Sequence, residues 1–255
     1  MSKLAYIRLD RQDARRPRVT ALVATNGIDL SPPSVRLPSA IGAKNNMKKY
    51  LVEFIGTFFL VLTIGMTVID PVVAVGFAPL AIGAALMIMV YAGGHVSGGH
   101  YNPAVTTAVW LRGRCASVDV PFYFIAQVLG AAAAAFVTLY LKGNPTLTGK
   151  EVVMLPALVA EFIGTFALCY VVLNVATAKG TAGNSNYGLA IGFTVTVMAY
   201  ALSGISGGAF NPAVAIGATL MHLFKSSNLW IYLVANLAAG VLAALVFKFV
   251  NPEDK

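Results

Sequence analysis

Six apolar segments, each close to 20 residues long, run along most of this 255-residue chain. They cover roughly residues 50–69, 75–93, 121–141, 153–175, 186–205 and 228–250. A helix needs about 20 apolar residues to cross the ~30 Å hydrocarbon core of a bilayer. Hydrophobic residues make up 58% of the chain and charged residues only 11%, which excludes an ordinary soluble domain with about 25% charged residues. The pattern predicts an all-α, multi-pass membrane protein.

Positive charge is concentrated ahead of the first apolar segment. Residues 1–49 carry +7 of the net charge of +8. Residues 1–46 combine scattered arginines with several prolines, which is typical of a disordered basic tail; the alternative is that translation starts at Met47. We therefore expect one membrane domain over 47–252. No nucleic-acid partner is expected, because such a partner needs a basic face on a folded domain.

The distribution of Lys and Arg between the connecting segments predicts the orientation. With both termini inside, fifteen Lys and Arg lie on the inner side and three on the outer side. Without residues 1–46 the inner side still holds seven against three. By the positive-inside rule, both termini are expected in the cytoplasm. A bacterial inner membrane is the cell membrane we expect.

Two motifs recur along the chain at nearly the same offset. The segment Glu53–Phe58 (EFIGTF) recurs at Glu161–Phe166, 108 residues later, and SGGHYNPAV at 97–105 recurs as SGGAFNPAV at 206–214, 109 residues later. The two copies, at 47–142 and 153–250, each hold three apolar segments. An odd number forces the second copy to enter the membrane upside down, so the sequence predicts a 3+3 inverted repeat.

Each Asn-Pro-Ala box is followed by about ten apolar residues, too few to cross a bilayer. Asn102 and Asn211 are good N-caps and the following prolines suit the first helical position. We therefore expect two re-entrant half-helices in addition to six transmembrane helices. Inverted symmetry would bring their positive N-terminal ends together at the membrane midplane.

These paired boxes, the paired EFIGTF segments and the six spans resemble the aquaporin (major intrinsic protein) family. The resemblance covers residues 47–250. It implies an aquaporin-like homotetramer with one passive pore per subunit, no cofactor and no metal, conducting water or small neutral solutes such as glycerol-like polyols or ammonia. The pore motifs that it implies are Asn102, Pro103, Ala104, Asn211, Pro212 and Ala213.

The resemblance also implies a constriction formed by four residues: Ile82, Ala199, Gly208 and Val214. Here the chain departs from the family pattern, because Val214 stands where aquaporins usually carry Arg directly after the second box. Losing the Arg removes a strong hydrogen-bond donor and a fixed positive charge. We expect a wider and more apolar constriction, in which desolvating a polar solute costs more for each hydrogen bond left unmade.

Two acidic residues lie inside predicted spans, where charges are costly and usually functional. Glu53 and Glu161 fit either ion coupling in an inverted-repeat secondary transporter, the alternative function, or structural acceptors that hold the pore loops. The resemblance favours the structural role. No nucleophile–base pair or metal-ligand cluster indicates an enzyme.

Histidines and aromatic residues add weaker expectations. His95 is expected to line or brace a pore loop. His100 and His222 are expected to be loop or interface residues. Amphipathic aromatic residues near span ends are expected to anchor the protein at the membrane interface: Tyr50, Trp230 and Tyr232.

Overall fold

The computed structural model describes residues 40–71 and 75–254. Within these ranges every named element is helical. In chain order the α-helices are α1 (Ala40–Val68), α2 (Ala78–Ser97), α3 (Pro103–Leu111), α4 (Val120–Leu141), α5 (Met154–Thr177), α6 (Tyr187–Ser206), α7 (Pro212–Leu220) and α8 (Leu229–Val250). Six of them are long and apolar enough to span a membrane. The predicted six spans and two half-helices are confirmed.

Helix α1 begins at Ala40, earlier than the apolar segment indicated. The helix thus overlaps residues 40–46 of the predicted basic tail over residues 1–46, and residues 1–39 lie outside the described part of the chain. A helix can continue past its apolar segment because its backbone hydrogen bonds close within the helix.

Helix packing follows the internal repeat. Helix α1 packs on α4 as α5 packs on α8, and α2 packs on α6 between the two copies. Each half-helix crosses to the other copy, since α3 packs on α8 and α7 packs on α4. The two copies therefore interlock rather than lying side by side.

Small residues allow the helix backbones to approach closely. A Cβ on Gly192 would meet the Gly83 carbonyl oxygen, and a Cβ on Gly83 would lie 2.5 Å from the Gly192 carbonyl oxygen. A Cβ on Gly240 would lie 2.5 Å from the Ala104 carbonyl oxygen. In lipid, where no hydrophobic effect drives helices together, such close packing is a main source of helix association.

Candidate pore and its constriction

The two pore loops have nearly the same backbone conformation. Helices α2 and α6 both end at a left-handed glycine, Gly98 with φ 92° and Gly207 with φ 99°. Three residues further on, Tyr101 and Phe210 both have φ 49°, a conformation that non-glycine residues rarely adopt. Such strain persists only where surrounding contacts hold it.

The Glu53 carboxylate holds the first loop. Its Oε1 accepts hydrogen bonds from Ser97 Oγ at 2.7 Å and the His100 backbone N–H at 2.9 Å. Its Oε2 accepts from the Tyr101 N–H at 2.6 Å and from Gln127 Nε2 at 2.8 Å. Four donors satisfy this fully buried carboxylate, so its desolvation is compensated by charge-assisted hydrogen bonds.

The Glu161 carboxylate holds the second loop in the same way, but it accepts three hydrogen bonds instead of four. It accepts from Ser206 Oγ at 2.7 Å, the Ala209 N–H at 2.9 Å and the Phe210 N–H at 2.7 Å. Asn236 occupies the position that a glutamine holds in the first copy, and its buried Nδ2 has no hydrogen-bond partner among the described residues. The Asn236 Oδ1 accepts from Thr165 Oγ1 at 2.8 Å.

The glycine three residues after each glutamate makes room for the strained aromatic residue. A Cβ on Gly56 would collide with the Tyr101 ring, and a Cβ on Gly164 would collide with the Phe210 ring. Both rings are about 1% exposed. The recurring EFIGTF segment therefore supplies both an acceptor for the loop amides and the space for the loop's aromatic side chain.

Both asparagines cap their half-helices. Asn102 Oδ1 accepts from the Ala104 N–H at 2.8 Å, and Asn211 Oδ1 accepts from the Ala213 N–H at 2.9 Å. In each box the proline occupies the first helical turn, where its missing N–H leaves no intrahelical bond unmade.

The same asparagines join the two loops. Asn102 Nδ2 donates to the Phe210 carbonyl oxygen at 2.9 Å, and Asn211 Nδ2 donates to the Tyr101 carbonyl oxygen at 2.9 Å. Each amide thus bonds to the residue directly before the other asparagine. The N-terminal ends of the two half-helices therefore meet, and each amide group keeps a second N–H.

A cavity of about 420 Å³ passes beside this junction. Its lining includes both asparagines and all four predicted constriction residues, Ile82, Ala199, Gly208 and Val214. The side chains at these four positions contain no hydrogen-bond donor. All four predicted positions therefore line one cavity, and their side chains add no hydrogen-bond donor to its wall.

A second cavity, of about 850 Å³, opens near the end of α3. The two cavities share His100, Val172 and Ile191 in their linings. His95 lies in the last turn of α2, is exposed and lines the second cavity. Neither lining includes Glu53 or Glu161 among the described residues. The two cavities therefore adjoin each other at these three residues.

Some residues lie where the sequence did not indicate. His100 lies in the loop between α2 and α3, as expected, but it is buried and lines both cavities, with its Nδ1 3.1 Å from Thr106 Oγ1. Tyr232 is not an interfacial anchor: it is fully buried, and its hydroxyl donates to the Ser206 carbonyl oxygen at 2.5 Å. Tyr123 makes the equivalent bond to Ser97 at 2.6 Å. Its position 109 residues before Tyr232 was the signal that could have revealed this role.

The family model for the major intrinsic protein matches residues 40–247. The chain is 36% identical to glycerol uptake facilitator protein-like 6 of Lactiplantibacillus plantarum, over 82% of this chain and 100% of that protein. It is 35% identical to aquaporin NIP1-1 of Arabidopsis thaliana, over 82% of this chain and 75% of that protein. It is 34% identical to aquaporin AqpM of Methanothermobacter thermautotrophicus, over 81% and 98%.

The X-ray structure of the aquaglyceroporin from Plasmodium falciparum has the same fold, with a TM-score of 0.69 and 22% sequence identity. It covers 81% of this chain and 98% of the solved chain. A channel-forming inverted repeat is the class that the fold defines. The chain belongs to the major intrinsic protein family. It is a multi-pass membrane protein and a passive channel for water and small solutes, not an enzyme.

Proposed function

We propose that this channel conducts glycerol-sized uncharged solutes as well as water, through a constriction formed by Ile82, Ala199, Gly208 and Val214. The observation behind this proposal is the cavity beside Asn102 and Asn211. The lining of that cavity includes all four positions. A relative named for glycerol uptake, matched over its full length, supports the same substrate class.

Val214 lacks the groups that would hold a polar solute at the constriction. A valine supplies neither a donor nor a charge, and it is 4% exposed in the lining. Alkyl parts of a polyol are favoured against an apolar wall, whereas its hydroxyl groups need partners elsewhere. Here the amides of Asn102 and Asn211 supply those partners, each with one N–H that the loop junction does not use.

The first prediction concerns Val214→Arg, tested in proteoliposomes by stopped-flow light scattering. Arginine adds bulk and donors, so glycerol flux is expected to fall at least about tenfold relative to water flux, which is ~1.4 kcal/mol of barrier. Val214→Met is the matched variant, because it adds length without donors or charge. It should reduce water and glycerol flux together. Unchanged glycerol flux in Val214→Arg would contradict the proposed constriction.

The transporter alternative has less support, because Glu53 and Glu161 are fully engaged by loop donors and lie outside both linings. A passive pore conducts glycerol at the same rate with and without an imposed proton or sodium gradient. Gradient-driven accumulation of glycerol above its outside concentration would favour the transporter.

We also propose that the chain forms a homotetramer. Its location is a cell membrane, specifically a bacterial inner membrane, and both termini lie in the cytoplasm. Arg112 and Lys179 both contact Asp254, so these basic residues share one side, as the positive-inside rule requires. Cross-linking in native membranes should give a fourfold mass. Protease added outside intact cells should leave an epitope fused to the N-terminus uncut.

A further inference from the structure

The segment that connects α4 to α5 lines the end of the first cavity that lies near the C-terminus of α7. We call this end of the cavity the α7 mouth. Leu147, Thr148 and Lys150 of this segment line the cavity. The Lys150 backbone N–H donates to the Leu223 carbonyl oxygen at 2.9 Å. A Cβ on Gly149 would lie 2.6 Å from the Lys225 nitrogen. The segment is thus fixed against the chain that follows α7.

The Lys150 ammonium is held by the last turn of α6. Its Nζ donates to the Ser203 carbonyl oxygen at 2.9 Å and to the Gly204 carbonyl oxygen at 2.8 Å. A cation is favoured at a helix C-terminus, where the helix dipole is negative. Two of the three ammonium donors are used in this way, and the third can face the cavity that Lys150 lines.

The anchor of this ammonium lies beside the constriction. Ser203 packs directly against Gly208, where an added Cβ would lie 2.9 Å from the Ser203 Cβ. Both residues line the same cavity as Lys150. The Lys150 ammonium is therefore connected through Ser203 to Gly208, one of the four proposed constriction residues.

Among the described residues that line this cavity, Lys150 is the one Lys, Arg, Asp or Glu. The adjacent Glu151 does not neutralise it, because Glu151 pairs with Lys225. The constriction itself carries no charge, since Val214 replaces the arginine expected there. The field of Lys150 is thus not cancelled by a direct ion pair.

We propose that Lys150 is a charge-selectivity residue of this pore, supplying at the α7 mouth the fixed positive charge that the constriction lacks. The inference rests on the proposed function. It explains how a wide apolar constriction can admit neutral polyols and still disfavour cations: electrostatic repulsion acts on an ion before desolvation begins, whereas it does not act on a neutral solute.

The test is ion leak in proteoliposomes that hold entrapped fluorescent indicators for K⁺ or Cl⁻. Lys150→Met should raise K⁺ influx at least about threefold and leave Cl⁻ influx unchanged or lower, because the loss of a positive charge affects the two ions in opposite directions. Lys150→Arg, which keeps the charge, should behave like the natural protein.

Lys142→Met is the matched control. Lys142 lies at the start of the same connecting segment and donates to the Asp70 carbonyl oxygen, but it does not line the cavity. It should leave K⁺ influx unchanged. A rise of K⁺ and Cl⁻ influx together in Lys150→Met would mean that the segment had moved, and would overturn the charge role.

A pH series on the natural protein provides a second readout. Burial lowers the pKa of Lys150, so Lys150 loses its proton at a lower pH than an ordinary lysine. K⁺ influx should therefore rise in alkaline buffer for the natural protein and not for Lys150→Arg. The other titratable groups at this mouth are His222, which lines the cavity, and the Glu151–Lys225 pair; they are present in both proteins.

The outcomes separate the two proposals. If water flux, glycerol flux and K⁺ influx are each identical in Lys150→Met, Lys142→Met and the natural protein, only the role of Lys150 is overturned. Absence of glycerol flux in the natural protein overturns the proposed permeant, and with it the explanation that Lys150 is meant to provide.

Discussion

At the scale of single residues, the two buried glutamates explain how strained loops persist in the middle of the fold. Glu53 accepts four hydrogen bonds, two of them from the backbone of residues 100 and 101. These bonds fix Tyr101 in a left-handed conformation, and the position of its carbonyl oxygen in turn fixes Asn211. One carboxylate therefore controls the geometry of both asparagines.

Replacing Glu53 by Gln tests this role. An amide keeps the shape but turns one acceptor oxygen into a donor facing donors, so unfolding free energy should fall by about 3 kcal/mol. The measurement is thermal or denaturant unfolding in detergent followed by circular dichroism. Glu151→Gln is the control: Glu151 is exposed and paired only with Lys225, so a change below about 1 kcal/mol is expected. Equal effects at the two positions would argue against the loop-holding role.

At the scale of elements, the crossing of α2 and α6 sets the distance between the two copies of the repeat. Gly83 and Gly192 face each other's carbonyl oxygens across this crossing. The same helices carry Ile82 and Ala199, two of the four constriction residues. Close packing at the glycines therefore fixes the spacing of two helices that contribute to the cavity lining.

The substitution Gly83→Val should separate these helices. Its side chain would collide with Thr196 and the Gly192 carbonyl group, and overpacking of this kind costs about 1–3 kcal/mol. Gly204→Ala in α6 is the control, since nothing lies within 4 Å of an added Cβ there. We expect Gly83→Val to lower the unfolding midpoint in detergent and Gly204→Ala to leave it within error. A midpoint unchanged in both would mean that the crossing is loose.

At the scale of the whole molecule, residues after α8 tie together the ends of three helices on the side opposite the α7 mouth. The Arg112 guanidinium at the end of α3 bonds Asp254 Oδ1 at 2.7 Å and lies over the Phe247 ring of α8. Asp254 Oδ2 accepts from the Lys179 N–H just beyond α5, at 2.7 Å. This tie connects the half-helix of the first copy to the ends of two helices of the second copy.

The tie should depend on pH in a definite direction. The hydrogen bond from the Lys179 backbone, followed by the charge of Arg112, lowers the pKa of Asp254 from its ordinary value of 3.8. A lowered carboxyl pKa adds stability that is present above the ordinary value and is lost as pH falls through the folded value. The unfolding midpoint of the natural protein should therefore exceed that of Asp254→Asn at pH 7. The gap should begin to narrow as pH falls below the ordinary value of 3.8 and close only below the lowered pKa of Asp254. A gap independent of pH would refute this linkage.

The sequence by itself determined the six spans, the two half-helices, the inverted repeat and the family. Span length, Asn-Pro caps and a constant offset are local or periodic properties, and each is readable without knowing which helices touch. Matching by spacing to the two boxes also predicted four constriction positions, Ile82, Ala199, Gly208 and Val214, and all four line one cavity.

Only the tertiary structure decided what meets across the fold. Four features join segments that are distant in sequence. They are the hydrogen bonds exchanged between the Asn102 and Asn211 loops, the burial of Tyr232, the position of His100 in the cavity lining, and the hydrogen bonds of Lys150 to the end of α6. No local pattern encodes them, because they depend on how the copies interlock. A lysine in a loop and a lysine at a pore mouth have the same sequence signature; the difference is the pair of helix-end carbonyls that packing places within its reach.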